Sequence, residues 1–169
     1  MGPWKHKVDD GLEARKTAYE TMYTIVRTLV YLDSSLLTFF DQLDTCLDKI
    51  DIYKFLEHVL GGLKDDSNEI KVLCHMMLFR LAQVAPTAVS QQLDDVAPSL
   101  MEGMKGHDVQ KNTVKQDLER TAELQRSTLR AIVALSKIST PGAAPQFDKV
   151  VESVSRPGQP WAHEFRELL

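Results

Sequence analysis

Five histidines, three acidic doublets and two cysteines are the side chains through which this chain could do metal, acid–base or nucleophilic chemistry. His6, His58, His75, His107 and His163 never fall at His-x-x-x-His spacing, the arrangement that puts two metal ligands on one helix face. The helix-face neighbours of His58 are Lys54, Phe55, Gly61 and Gly62, none of which binds a metal. His75 lies in an apolar run between Lys71 and Phe79. His163 has Glu167 one turn on, but two ligands on a short terminal helix do not complete a site. His6 precedes Asp9 and Asp10 in a stretch that does not read as helix. Each histidine is therefore expected as a packed, solvated or hydrogen-bonded ring, and no metal or cofactor is expected.

Asp9-Asp10, Asp65-Asp66 and Asp94-Asp95 could pair for acid–base work, but all three stand at expected helix starts, where carboxylates favour the helix dipole. Cys46 and Cys74 have no Cys-x-x-Cys partner, and each is expected to be a buried, inert thiol. Two unpaired thiols place the chain in the cytoplasm or nucleus. Lys16-Thr17 follows Arg15 where a phosphate loop needs glycine, and neither Gly-x-Gly-x-x-Gly nor Gly-x-Ser-x-Gly occurs. These absences argue against an enzyme. Met76, Met77, Met101 and Met104 could line an adaptable groove, though core filling is the preferred reading. Trp4, flanked by Lys5, His6 and Lys7, is either a binding anchor or a ring tucked against the first helix.

The elements that must carry these residues are helices. Leu12, Tyr19, Met22, Val26 and Leu29 form one stripe, with Asp9 or Asp10 placed to cap it. Asp33-Ser34-Ser35 reads as a break and a new cap before Leu36, Leu37 and Phe40. Asp51 caps a helix ending near Gly61-Gly62, and Asp65-Asp66-Ser67-Asn68 is a turn before the apolar run from Ile70 to Ala82. Pro86 opens a short helix through Leu93; Val96-Ala97-Pro98-Ser99-Leu100 leads into the next. Thr113 to Ser139 contains no Gly or Pro and reads as one long helix, with Glu123 between Arg120 and Arg126 at ion-pair spacing. Two short helices, Phe147 to Val154 and Trp161 to Leu168, close the chain. Only Trp4 to Val8 alternates as a strand would.

A formal charge of −4 disfavours nucleic acid as a partner. The most apolar window, Ile25 to Phe40, is interrupted by Arg27 and Asp33 and is short for a membrane span of about 20 residues. Met1 to His6 lacks the apolar run of a secretory signal. The fold class is all-α, built from antiparallel helix pairs. The run Pro86, Ala88, Val89, Leu93, Asp95, Val96, Pro98 has the rhythm of HEAT repeats, although pattern alone does not separate these from a plain helical bundle.

The stretch from Gly2 to Lys16 (Gly-Pro-Trp-Lys-His-Lys-Val-Asp-Asp-Gly-Leu-Glu-Ala-Arg-Lys) resembles the C-terminal domain of the cullin-associated, neddylation-dissociated proteins, also called TATA-binding-protein-interacting proteins. So do Tyr19 to Thr24, Leu43 to Ile52, Gly62 to Asp66, Val114 to Gln116 and Leu124 to Ser127. The likeness runs in order to about Ser139, and residues 140–169 match weakly. It implies a HEAT-type (armadillo-like) solenoid segment over residues 1–169, without an active site. It implies binding to a cullin that lacks its ubiquitin-like modifier, in competition with the substrate-receptor adaptor; the TATA-binding protein is the rival partner. It also implies a β-hairpin before the first helix. Trp4, Lys5, His6, Lys7, Val8, Asp9 and Asp10 match its second strand and are the candidate partner-binding residues. The first strand would precede Met1. Residues 26–42 have no counterpart in the family pattern and are either an extra half helix pair or a translated intron.

Overall fold

The computed structural model describes residues 9–35, 49–105 and 115–169, all as helices and the turns between them. The first helix, α1 (Leu12–Ser35), contains neither Gly nor Pro, so nothing in its backbone forces a stop at Asp33. It runs through Asp33 and Ser34 to Ser35, where a break was expected. Its inner stripe buries Val26 and half-buries Leu12, Tyr19, Met22 and Tyr23. Its outer face carries a ladder of threonines. The hydroxyls of Thr17, Thr21, Thr24 and Thr28 donate to the carbonyls one turn back, each at 2.9 Å.

Helix α2 (Ile52–Gly62) starts as the sequence indicates, with the Asp51 carboxylate accepting from the Lys54 N–H at 3.1 Å. Both Gly61 and Gly62 remain inside it. Helix α3 (Asn68–Val84) stops two residues short of Pro86 and is the centre of the core. Ile70, Met77, Leu78 and Leu81 on α3 are fully enclosed. Each such side chain contributes about 1.5–3 kcal/mol relative to staying in water.

Helix α4 (Pro86–Ser90) is a single turn with Pro at its start, and α5 (Leu93–Gly103) follows at once. The boundary differs from expectation. Leu93 begins α5 rather than ending α4, and Pro98 sits inside α5 instead of opening a helix. Pro98 lacks an N–H, so the α-helical bond to the Asp94 carbonyl is absent. The apolar contacts of Leu93, Val96, Ala97 and Leu100, all buried, outweigh that loss. Helix α6 (Lys115–Ser136) is long, as its sequence predicts, and α7 (Pro145–Ser155) and α8 (Ala162–Leu168) end the chain.

Each helix packs on those one to three places away in sequence: α3 on α1, α2, α4 and α6, then α5 on α7, and α6 on α8. That nearest-neighbour stacking is the all-α, HEAT-type architecture. Two glycines set the closest approaches. A Cβ on Gly62 would lie 2.6 and 2.7 Å from the Tyr19 ring and would collide with the Cys74 sulfur. A Cβ on Gly103 would lie 2.6 Å from the Thr128 hydroxyl. Gly62→Ala is therefore expected to destabilise the fold by about 1–2 kcal/mol, because overpacking exceeds the gain in helix propensity. Urea denaturation measures this, and an unchanged midpoint would mean Tyr19 and Cys74 move aside at no cost.

Candidate protein-binding surface

Of the seven candidate residues, Trp4, Lys5, His6, Lys7 and Val8 lie outside the described residues, while Asp9 and Asp10 form the turn into α1. The Asp9 backbone carbonyl accepts from the Leu12 N–H at 3.2 Å, and its carboxylate accepts from the Gly11 N–H at 3.2 Å. Asp10 is exposed. The Asp9 carboxylate is also gripped by Arg15, whose Nη1 and Nη2 donate to Oδ1 and Oδ2 at 3.0 and 2.7 Å. The same guanidinium reaches the turn between α2 and α3, where Nε and Nη2 donate to the Asp65 carboxylate at 2.8 and 3.3 Å. One planar cation thus serves two carboxylates through four N–H···O bonds, one more than the three donors of an ammonium could supply. The bonds to Asp9 and then Asp65 raise the Arg15 pKa, and Arg15 in turn holds Asp65 below the usual carboxylate range. The next residue, Lys16, pairs with Glu69 at 2.5 Å, raising the ammonium and lowering the carboxyl. Tyr19 donates its O–H to the His58 carbonyl at 3.0 Å. Together these contacts tie the start of α1 to α2 and to the turn that leads into α3.

A groove opens between α3 and α6, walled at one end by Tyr23 of α1. Its volume is about 600 Å³. Met76 and Phe79, one turn apart on α3, expose 38 % of their surface each and form its apolar floor. Arg80, Arg126 and Arg130 line it together with Glu123. The methionines divide. Met77 is core, Met101 and Met104 are half-buried against the core, and Met76 faces the groove. Glu123 forms an ion pair with neither Arg120 nor Arg126 among the described residues, although their spacing permits both.

His75 is buried under this groove, 2 % exposed. The hydroxyls of Ser127 and Thr128 both donate to the Leu124 carbonyl, at 2.8 and 2.7 Å. The His75 Nδ1 lies 3.1 Å from the Ser127 Oγ and 3.4 Å from the Thr128 Oγ1, which ties the ring to α6. Burial, then the nearby Lys71 charge, push its pKa down to about 4. His58 and His163 are exposed, the latter 3.5 Å from Glu167. No group of three metal-capable side chains occurs among the described residues. Cys74 is a buried free thiol, as expected, with its pKa pushed up to about 12 by burial. Cys46, His6 and His107 lie outside the described residues.

Asp94 plays a part that its position in sequence conceals. Its carboxylate accepts from the backbone N–H groups of Gln146 and Phe147, at 2.9 and 3.1 Å, and so caps α7 rather than its own helix. No described helix is long and apolar enough to cross a membrane.

Residues 1–155 match the family model TIP120, described as TATA-binding protein interacting (TIP20). The chain is 37 % identical over 169 residues to cullin-associated NEDD8-dissociated protein 1 of Dictyostelium discoideum, covering 100 % of this chain and 12 % of that protein. Its Drosophila melanogaster counterpart is 39 % identical over 154 residues, 91 % of this chain and 11 % of that protein. Cullin-associated NEDD8-dissociated protein 2 of Rattus norvegicus is 41 % identical over 135 residues, 80 % and 9 % respectively. The chain thus spans 12 % or less of the length of these curated relatives.

Proposed function

Because this chain belongs to the TATA-binding protein interacting (TIP20) family, we propose that it is a non-catalytic protein-binding segment acting on cullin–RING ubiquitin ligases. It engages a cullin free of its ubiquitin-like modifier and competes with the substrate-receptor adaptor for it. The observation that carries this reading is the likeness over nine-tenths or more of the chain to relatives named cullin-associated and NEDD8-dissociated. The helical stack supports it. It has an exposed groove and a clamped N-terminal junction, features suited to holding a macromolecule. The segment from Trp4 to Asp10 is the expected contact with the adaptor's place on the cullin. Cytoplasm and nucleus are where such a complex would assemble.

Calorimetry of the chain with an unmodified cullin–RING pair, without adaptor, is expected to show saturable binding that added adaptor abolishes. A folded chain that gives no heat with the cullin sinks the reading. The family description favours one second reading, a scaffold for the TATA-binding protein. Binding to that protein, and not to cullin, in the same format would select it.

A further inference from the structure

We propose that the groove between α3 and α6 docks a short acidic, amphipathic helix of a partner protein. Its apolar side chains would rest on Met76 and Phe79, and its carboxylates on Arg126 and Arg130. This deepens the protein-binding reading and rests on it.

Three observations point to this occupant. The first is the floor. Met76 and Phe79 are two of the few large apolar side chains exposed among the described residues, and they share one face of α3. A thioether and a phenyl ring one turn apart suit a partner's leucine or phenylalanine.

The second is charge. Arg126 and Arg130 are four residues apart on α6, both exposed, and neither has a hydrogen bond or ion pair among the described residues. Like charges at that spacing weaken a helix, so helix stability does not account for them. In a chain of net charge −4, this is a locally basic wall. A carboxylate pair on the partner would meet two guanidinium forks. A phosphate backbone fits poorly, because the cleft that continues past Glu123 toward α1 is acidic on balance, with Asp9, Glu20, Asp66 and Glu69 against Lys16 and Arg120. The charge changes sign along the junction, which orients a partner with acid at one end only.

The third is length. Phe79 and Arg130 are shared with a second hollow that runs on to Ala134 and Lys137. From Glu123 to Ala134 the trough is about 16 Å long at the helical rise, or three turns of a docked helix.

The experiment uses the full chain and a fluorescein-labelled 14-residue peptide. The peptide has Leu and Phe at helical spacing and Glu at one end, and its counterpart has Lys for each Glu. Anisotropy is expected to show saturable binding of the Glu peptide, with the Lys peptide at least about tenfold weaker. Arg126→Glu with Arg130→Glu, and separately Phe79→Ser, should each weaken the Glu peptide about tenfold or more, with circular dichroism and melting unchanged. Equal binding of both peptides, no binding of either, or indifference to the charge reversal would overturn the proposal. So would light scattering that shows the wild type dimeric and the charge-reversed chain monomeric, since the occupant would then be a second copy. The cullin titration separates the two readings. A charge-reversed chain that binds cullin as the wild type does sinks the groove alone. A wild type that binds the Glu peptide but not cullin sinks the cullin reading alone.

Discussion

Lowering the pH from 7 to 4 is expected to remove roughly 3 kcal/mol of stability through His75 alone. The ring is neutral in the fold, with a pKa near 4 against an ordinary 6.5. The unfolded chain takes up its proton first, as the pH drops through 6.5, while the folded chain resists until about 4. The stability is thus fully present above 6.5 and is lost between 6.5 and 4. The cause is geometric. Nδ1 is held against the Ser127 hydroxyl, and a second proton would charge a ring that is 2 % exposed and near the Lys71 charge. Urea midpoints across this range, compared with those of His75→Phe, isolate the effect from the carboxylates. Parallel pH profiles for the two chains would show that His75 charges in the fold without penalty.

Phe147→Ala is expected to cost about 3–5 kcal/mol, the largest loss from any single side chain considered. The ring is fully enclosed on α7, which packs against α5 and in turn supports α8. Its own backbone N–H is one of the two that Asp94 caps. Loss of the ring therefore opens a cavity where the end of the stack is tied to the middle. Chemical denaturation read by far-ultraviolet circular dichroism measures the loss. A change below about 1 kcal/mol would mean that α7 and α8 add little to the cooperative unit. Asp94→Ala should produce a smaller shift of about 1 kcal/mol in the same direction, in line with the removal of a helix cap.

Much of this fold is legible residue by residue. Asp51 announces α2, Pro86 stands at a helix start, and the long stretch without Gly or Pro becomes α6. Such signals are local, since the capping carboxylate or the proline lies within a turn of the structure it dictates. What could not be read is where one helix meets another. Asp94-Asp95 does lie at a helix start, yet the Asp94 carboxylate serves a helix 52 residues away. Gly62 looks like a helix terminator, but its absent side chain leaves room for Tyr19 and Cys74. Met76 and Met77 are neighbours in sequence, and their 100° separation around α3 puts one in the groove and the other in the core. Periodicity marks an apolar stripe without saying how much of it the next helix covers. The groove therefore becomes visible only once α6 is laid against α3.

The Arg15 fork has a mechanical consequence. A partner that pulls on the chain before Asp9 does not load the first turn of α1 alone. The pull passes from the Asp9 carboxylate through one rigid guanidinium to Asp65, and so into the turn that joins α2 to α3. Three helices share the load through four side-chain atoms of Arg15 and Asp65, and the junction resists shear where a single backbone strand would peel.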